Sequence, residues 1–342
     1  MTQQESIVRS RSATEQGVDV VAGRRRGTRK VLGTTLALIA AVSFSTVADA
    51  STQPAPVATQ QALSQFLIQG EKLMTLPSTV VSLANVGHDW PDTHRCLINA
   101  GSSNPITQRP ANSVCTFGDV SASASIAVFG DSQADMWMSA LSRFGKAFHY
   151  RVIEFTLGNC DTSSLDLWNN TTNAPGTACT SFRAWAIQKI KGLHPRAVIL
   201  SNFPNRTNYQ HHELSAHAYE QGIEATLKKL SAPGRKLILF GRIPEPSSDP
   251  AQCLAAYPSA IQHCSVALKT TAPGEYLALL IAGAKVEQAT VVNTNPWMCA
   301  NGICPVVANH TILYYNQYHA SNHWVTEIAP VIVSQLRAFL GK

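Results

Sequence analysis

One stretch of the chain suits nucleophilic acyl chemistry. The apolar run Ile126–Phe129 ends in Gly130-Asp131-Ser132-Gln133-Ala134. A serine that follows a strand and opens a helix stands at the strand's carboxyl edge, beside backbone N–H groups that no intrahelical carbonyl satisfies. It also stands at the positive end of the helix dipole. A hydroxyl placed there can attack an ester carbonyl, and those N–H groups can hold the oxyanion that forms. The same position suits a serine that only caps its helix, and three residues leave both roles open. A serine nucleophile requires a base to take its proton. Of the eleven histidines, most sit singly in polar segments, whereas His319 and His323 lie just before the last helical stretch.

The elements that would position these groups alternate in type. Short apolar, β-rich runs occur at Ile126–Phe129, Tyr150–Phe155, Ala197–Leu200, Leu237–Phe240 and Thr290–Val292. Helical spacing between and after them predicts helices near 133–144, 180–192, 213–230, 274–286 and 321–340. Runs this short and continuously apolar suit buried parallel strands, and strand–helix alternation predicts an open α/β sheet covered on both faces. Ligands of such sheets bind beyond the carboxyl ends of the strands, so the loop after each run is where chemistry is expected. Upstream, Leu63, Phe66, Leu67 and Leu73 have helical spacing within 62–76. A polar, irregular stretch with Pro91, Pro105 and Pro110 follows, bracketed by Cys96 and Cys115.

The 342 residues are 45% hydrophobic and 14% charged, which suits a folded protein with a sizeable core. The net charge of +6 is concentrated at the N-terminus. Seven of the 27 Lys/Arg and four of the 21 Asp/Glu precede residue 51, leaving 20 against 17. No basic patch interleaved with aromatics points to nucleic acid. The basic stretch Arg24–Lys30, the uncharged stretch Val31–Ala48 and Ala48-Asp49-Ala50 together read as a secretory signal. An uncleaved signal anchor is the alternative, since Val31–Ala48 reaches the lower length limit for spanning a bilayer. Either reading places the remainder outside the cytoplasm, and a membrane is a partner only if the segment stays as an anchor. All eight cysteines (Cys96, Cys115, Cys160, Cys179, Cys253, Cys264, Cys299 and Cys304) follow the signal. An even number in an exported chain predicts disulfides, although eight cysteines permit 105 pairings. Pairing in sequence order gives short loops. The absence of Cys-x-x-Cys argues against a zinc site, so no metal is expected.

Val128-Phe129-Gly130-Asp131-Ser132 resembles the first block of SGNH hydrolases, also called GDSL esterases. Further features resemble the extracytoplasmic SGNH domain fused to membrane acyltransferases of the acyltransferase-3 family. These are Leu76-Pro77-Ser78 with Cys96 and Cys115–Asp119, then Gly158-Asn159-Cys160, Ser201-Asn202 and Gly241-Arg242-Ile243-Pro244 with Cys253 and Cys264. The resemblance runs over about 62–340 and implies a flavodoxin-like three-layer α/β sandwich with a parallel sheet of about five strands. It also implies an oxyanion hole made by the N–H groups of Ser132 and Gly158 and the amide of Asn202, with Asn205 as the rival to Asn202. Tyr314-Tyr315-Asn316-Gln317-Tyr318-His319 resembles the family's terminal Tyr-Tyr-Asp-x-x-His, which puts the base on His319, with His323 as the alternative.

The chain departs from that pattern where the family has its aspartate, because residue 316 is asparagine. An aspartate fixes the histidine tautomer and stabilises the imidazolium, whereas an asparagine can only accept a hydrogen bond. Asn316 orients His319 alone, or another acid such as Asp135 or Glu327 or a backbone carbonyl substitutes, or the domain is a catalytically impaired carbohydrate binder. Trp137 and Trp324 are candidate pocket residues with core packing as the plainer role. The resemblance therefore implies an exported serine esterase or O-acyltransferase acting on acyl esters, acetyl above all, of cell-envelope carbohydrate. It implies no cofactor. The fused relatives receive acyl groups from their membrane domain, so this chain implies a separate membrane acyl donor protein or deacylation. The organisation expected is a signal at 1–50, a linker at 51–61, an N-terminal extension at 62–123 packing on the core and a catalytic domain at 124–342.

Overall fold

The computed structural model describes residues 56–268 and 273–341. The secretory segment expected at 1–50 and the first part of the expected linker lie outside these residues. Among the described residues no helix is long and apolar enough to cross a membrane.

Among the described residues the central sheet has seven strands: β1 (Leu97–Ile98), β2 (Thr116–Gly118), β3 (Ala124–Gly130), β4 (Tyr150–Leu157), β5 (Ala197–Ser201), β6 (Lys236–Phe240) and β7 (Thr290–Val292). Their order is β1-β4-β3-β5-β6-β7, all parallel, with β2 added antiparallel to β4. The five apolar runs read from the sequence are β3 to β7. Taken alone they follow the order second, first, third, fourth, fifth, which is the flavodoxin-like doubly wound arrangement. Its topological switch point falls between β3 and β5, where a crevice opens at the carboxyl ends of the two strands.

The sheet exceeds the expected five strands by two. β1 lies in the stretch read as irregular and β2 just beyond it, and at two and three residues they are too short to show a hydrophobic period. The Cys96–Cys115 disulfide joins the residues that immediately precede the two strands. Together they cover one edge of β4, with β1 beside Thr156 and Leu157 and β2 beside Arg151, Val152 and Ile153.

Alternation along β3 divides the core. Ile126 and Val128 face one cluster, which includes α1 (Gln60–Glu71) through Leu63 and Leu67, α3 (Met138–Phe148), and α8 (Ala329–Leu340) through Ile332 and Leu336. Ala127 and Phe129 face a second cluster built by α4 (Thr177–Leu193), α5 (Ala216–Leu230) and α6 (Pro273–Ala284). Buried on both faces, the strands have no polar side for an alternating pattern to record.

Two helices read as continuous are divided. The first becomes α2 (Ser132–Asp135) and α3, broken at Met136–Trp137. The last becomes α7 (Asn322–Glu327) and α8. Pro330 accounts for the second break. In the first turn of α8 its missing N–H is no loss, whereas within one continuous helix it would remove a hydrogen bond and clash with the preceding turn. Before α7, β8 (Tyr314–Asn316) and β9 (His319–Ala320) form a small antiparallel hairpin. The eight cysteines pair in sequence order as Cys96–Cys115, Cys160–Cys179, Cys253–Cys264 and Cys299–Cys304.

Candidate active site

The site begins with a close approach of two backbones. A Cβ at Gly130 would lie 1.8 Å from the Ser201 carbonyl oxygen, so the last residue of β3 tolerates no side chain against β5. The next residue, Asp131, is fully buried and joins the two loops. One carboxylate oxygen accepts from the Gln133 N–H at 2.8 Å and the other from the Phe203 N–H at 2.9 Å. Burial lifts its pKa to about 8 against the pull of those two N–H groups. Asp131 thus caps α2 and anchors the loop after β5. Ser132 then stands at the first position of α2, at the switch point.

His319 meets Ser132 across 187 residues of sequence, with Nε2 2.8 Å from Ser132 Oγ. Its Nδ1 is 2.9 Å from Asn316 Oδ1. The same Oδ1 accepts the Tyr318 N–H at 2.8 Å. A backbone N–H can only donate, so the Asn316 atom facing it is the oxygen. That assignment puts the imidazole hydrogen on Nδ1 and leaves the Nε2 lone pair for the serine hydroxyl. Asn316 therefore sets the tautomer that an aspartate would set, without contributing a negative charge. Desolvation by burial pushes the His319 pKa down to about 4. The ring keeps an edge on the cavity and packs at right angles to Trp90, with centroids 5.0 Å apart, and near Tyr315.

The open side of Ser132 and His319 is a cavity of about 310 Å³ lined also by Asn159, Asn170, Phe203, Pro204, Asn205 and Tyr318. Tyr318 is exposed and packs edge-on to Phe203. Arg242 stacks over the Phe203 ring, 4.0 Å from its centroid, and pairs with Glu245.

Two expected oxyanion donors are elsewhere. The Gly158 N–H is used up in a 2.8 Å bond to the Ile98 carbonyl, because the short strand β1 extends its ladder with β4 by one more residue. The neighbouring Asn159, with a left-handed φ of 52°, lines the cavity instead. Asn202 is 3% exposed and its amide is spent internally. It donates to Asp161 Oδ2 at 2.8 Å and accepts from Thr162 Oγ1 at 2.6 Å. Asp161 also accepts from Tyr219 and from the Asn205 N–H, so this buried cluster shapes the loop that presents Asn205. Asn205, the rival, is the one that lines the cavity. Its Nδ2 donates to the Trp168 carbonyl at 2.6 Å, which leaves the second amide hydrogen of that nitrogen.

The alternatives for the base and its acid also separate. His323 is bound to Asp89, with Nδ1 2.7 Å from Oδ1, and does not line the cavity. Glu327 accepts from Asn309 and from Thr311. Asp135 is buried beneath Trp90 and accepts the indole N–H. Trp137 and Trp324 are fully buried in the core rather than pocket-lining. Trp90 went unnoticed in the sequence. It lies 229 residues from His319 in a stretch without periodicity, and no local signal marks it.

Comparison with known proteins agrees with this architecture. No curated protein sequence matches the chain. Among solved structures, the periplasmic domain of a lipopolysaccharide acetyltransferase from Salmonella ser. Paratyphi A superposes with a TM-score of 0.51 at 16% identity, covering 62% of this chain and 83% of that one. A carbohydrate acetylesterase from Sinorhizobium meliloti gives 0.40 at 16% identity, covering 63% and 99%. An aryl esterase from M. smegmatis gives 0.40 at 12% identity, covering 63% and 99%. At these identities the first likeness speaks for the fold. A sequence model of the SGNH domain, of the kind fused to AT3 domains, matches residues 95–334, which span both Ser132 and His319. The chain belongs to the SGNH domain family.

Proposed function

We propose that this protein is a serine esterase or O-acyltransferase working through an acyl-enzyme on Ser132. The observation that carries the reading is the Ser132 Oγ to His319 Nε2 distance of 2.8 Å at an open cavity, with the tautomer set by Asn316. His319 Nε2 takes the Ser132 proton as the Oγ–carbon bond forms, and the carbonyl π pair moves onto oxygen. That oxyanion is held by the N–H groups of Ser132 and Asn159 and the remaining amide hydrogen of Asn205. Collapse of the tetrahedral adduct expels the alcohol, which leaves with the proton from His319. Water or a sugar hydroxyl then repeats the sequence in reverse, giving hydrolysis or transfer.

Carbohydrate is the favoured substrate class. Asn159, Asn170 and Asn205 offer amides to hydroxyl groups, and the exposed Tyr318 offers a flat ring beside the nucleophile. Such a mixture of an amphipathic aromatic and fixed amides suits a polar ring with apolar faces. An acetyl ester of an envelope polysaccharide fits that chemistry, with a separate membrane protein as acyl donor if the reaction is transfer. Four disulfides favour an oxidising compartment and hence export.

Asn316 favours a second reading, a domain that binds the carbohydrate and has lost turnover. Labelling with a fluorophosphonate decides between them. The wild type is expected to label and Ser132→Ala not to. A folded wild type that fails to label between pH 5 and 9 leaves only the binding reading.

A further inference from the structure

Beneath the site lies a pair of buried acids that the mechanism above does not use. Asp135, three residues after the nucleophile, is fully buried and its Oδ2 accepts the Trp90 indole N–H at 2.5 Å. Thr93 and Glu154 on β4 are its further polar neighbours. Glu154 is fully buried and its other neighbours are the Thr156 hydroxyl and the charge of Arg109. Burial raises both acids, and the charge of Asp135 drives Glu154 well above the ordinary range. Of the pair, Glu154 is the more strongly raised and so keeps its proton, while Asp135 accepts the Trp90 N–H. Trp90, held by Asp135, stands against the His319 ring with centroids 5.0 Å apart and planes at 85°. Tyr315 also packs edge-on against Trp90, with centroids 4.9 Å apart.

We infer that Trp90 and Asp135 act as positioning residues that together take over the role of the absent triad aspartate, an inference that rests on the Ser132–His319 reading above. A cation within about 6 Å of an indole centroid is attracted by the ring quadrupole, more strongly when water is excluded. An indole whose N–H is bound to a carboxylate is richer in electron density than a free one. The imidazolium formed when His319 accepts the Ser132 proton thus meets a fixed, electron-rich ring, with the Asp135 charge behind it in a poorly screened interior. The other charged or titratable groups around His319 are committed elsewhere. Asp131 holds the N–H groups of Gln133 and Phe203, Asp89 holds His323, Glu327 holds Asn309 and Thr311, and Arg242 is paired with Glu245. Tyr315 and Tyr318 complete the surroundings of the ring.

The test uses Asp135→Asn, which keeps the shape and removes the charge, and Trp90→Phe, which keeps a ring and removes the N–H. Turnover of p-nitrophenyl acetate is measured together with the His319 pKa, read by NMR of labelled imidazole. Each variant is expected to lower kcat about tenfold with KM unchanged, and to lower the His319 pKa by about half a unit or more. Adding Asn316→Asp to either variant is expected to restore kcat, because a direct carboxylate on Nδ1 makes the relay redundant. A merely structural contribution would not be rescued in this way. The inference is overturned if the folded variants keep kcat and the His319 pKa of the wild type, or if Asn316→Asp fails to recover the loss. Should Asp135→Asn not fold, Trp90→Phe decides alone. Should the wild type show no esterase activity, that failure falls on the proposed function, and the His319 pKa of folded variants still decides the relay.

Discussion

At the scale of single residues, the chemistry turns on what stands behind His319. Asn316 accepts the Nδ1 hydrogen and so orients the ring, yet it offers no charge to an imidazolium. Replacing it by aspartate supplies that charge without changing size. Asn316→Asp is expected to raise the His319 pKa and to raise turnover of p-nitrophenyl acetate only a few fold, far less than an aspartate-to-asparagine change costs in a serine triad, because Trp90 and Asp135 already serve the ring. A gain of about a hundredfold or more would show that nothing else serves the imidazolium. The wild-type pKa of about 4 has a second consequence. The base is neutral and competent well below the usual histidine range, and is lost only as pH falls through about 4. The pH profile of kcat/KM for a soluble acetyl ester is expected to stay flat on its acid side to about pH 5 and then fall. An inflection near the ordinary value of 6.5 would contradict the burial argument.

At the scale of elements, the site depends on two strands approaching without side chains between them. Gly130 ends β3 against the Ser201 carbonyl of β5, and neither backbone can yield without breaking the ladder between them. Gly130→Ala is expected to lower unfolding free energy by about 1–3 kcal/mol, the usual range for overpacking, and to abolish fluorophosphonate labelling. The second effect follows because Ser132 is two residues on and its helix start would shift. Urea unfolding with labelling in parallel checks both, and a variant of wild-type stability and reactivity would refute the close-approach argument. The β8–β9 hairpin has a comparable part. It places Asn316 and His319 on one tight turn, so the tautomer partner and the base move together.

At the scale of the whole molecule, several acids sit inside the protein with raised pKa values. Burial lifts Asp131 to about 8 and also raises Glu154 and Asp161. The folded chain therefore holds protons that the unfolded chain, with carboxyls near 4, has already released. Stability then falls as pH rises through the interval between the unfolded and folded values, which for Asp131 ends near 8. His319 works in the opposite sense on the acid side. Its folded pKa is depressed to about 4, so its contribution is lost as pH falls from 6.5 towards 4. The midpoint of thermal unfolding is expected to be higher near pH 6 than near pH 8.5, measured by calorimetry at constant ionic strength. A midpoint that rises over that interval would mean the buried acids are ionised in the folded state.

Local pattern alone was enough for the parallel sheet. Five buried strands and the helices between them are each recorded by a continuous apolar run or a helical period, because both depend on neighbours close in sequence. The serine at the end of the first run, and the histidine three residues after Asn316, were legible for the same reason and through their resemblance to a family. The cysteine pairs follow sequence order, although spacing could not have excluded the other pairings. What tertiary structure decided was the use of groups brought together from afar. The Gly158 N–H is consumed by β1, a two-residue strand with no period to detect. Asn202 turns inward to Asp161 while Asn205 faces the cavity, a choice made by a buried hydrogen-bond cluster and not by the Ser201–Asn205 segment itself. Trp90 reaches His319 and Asp135 only through the packing of the N-terminal stretch on the core. Hydrogen bonds and ring contacts between distant segments leave no periodicity in the chain, so only the folded structure reveals which side chains they spend.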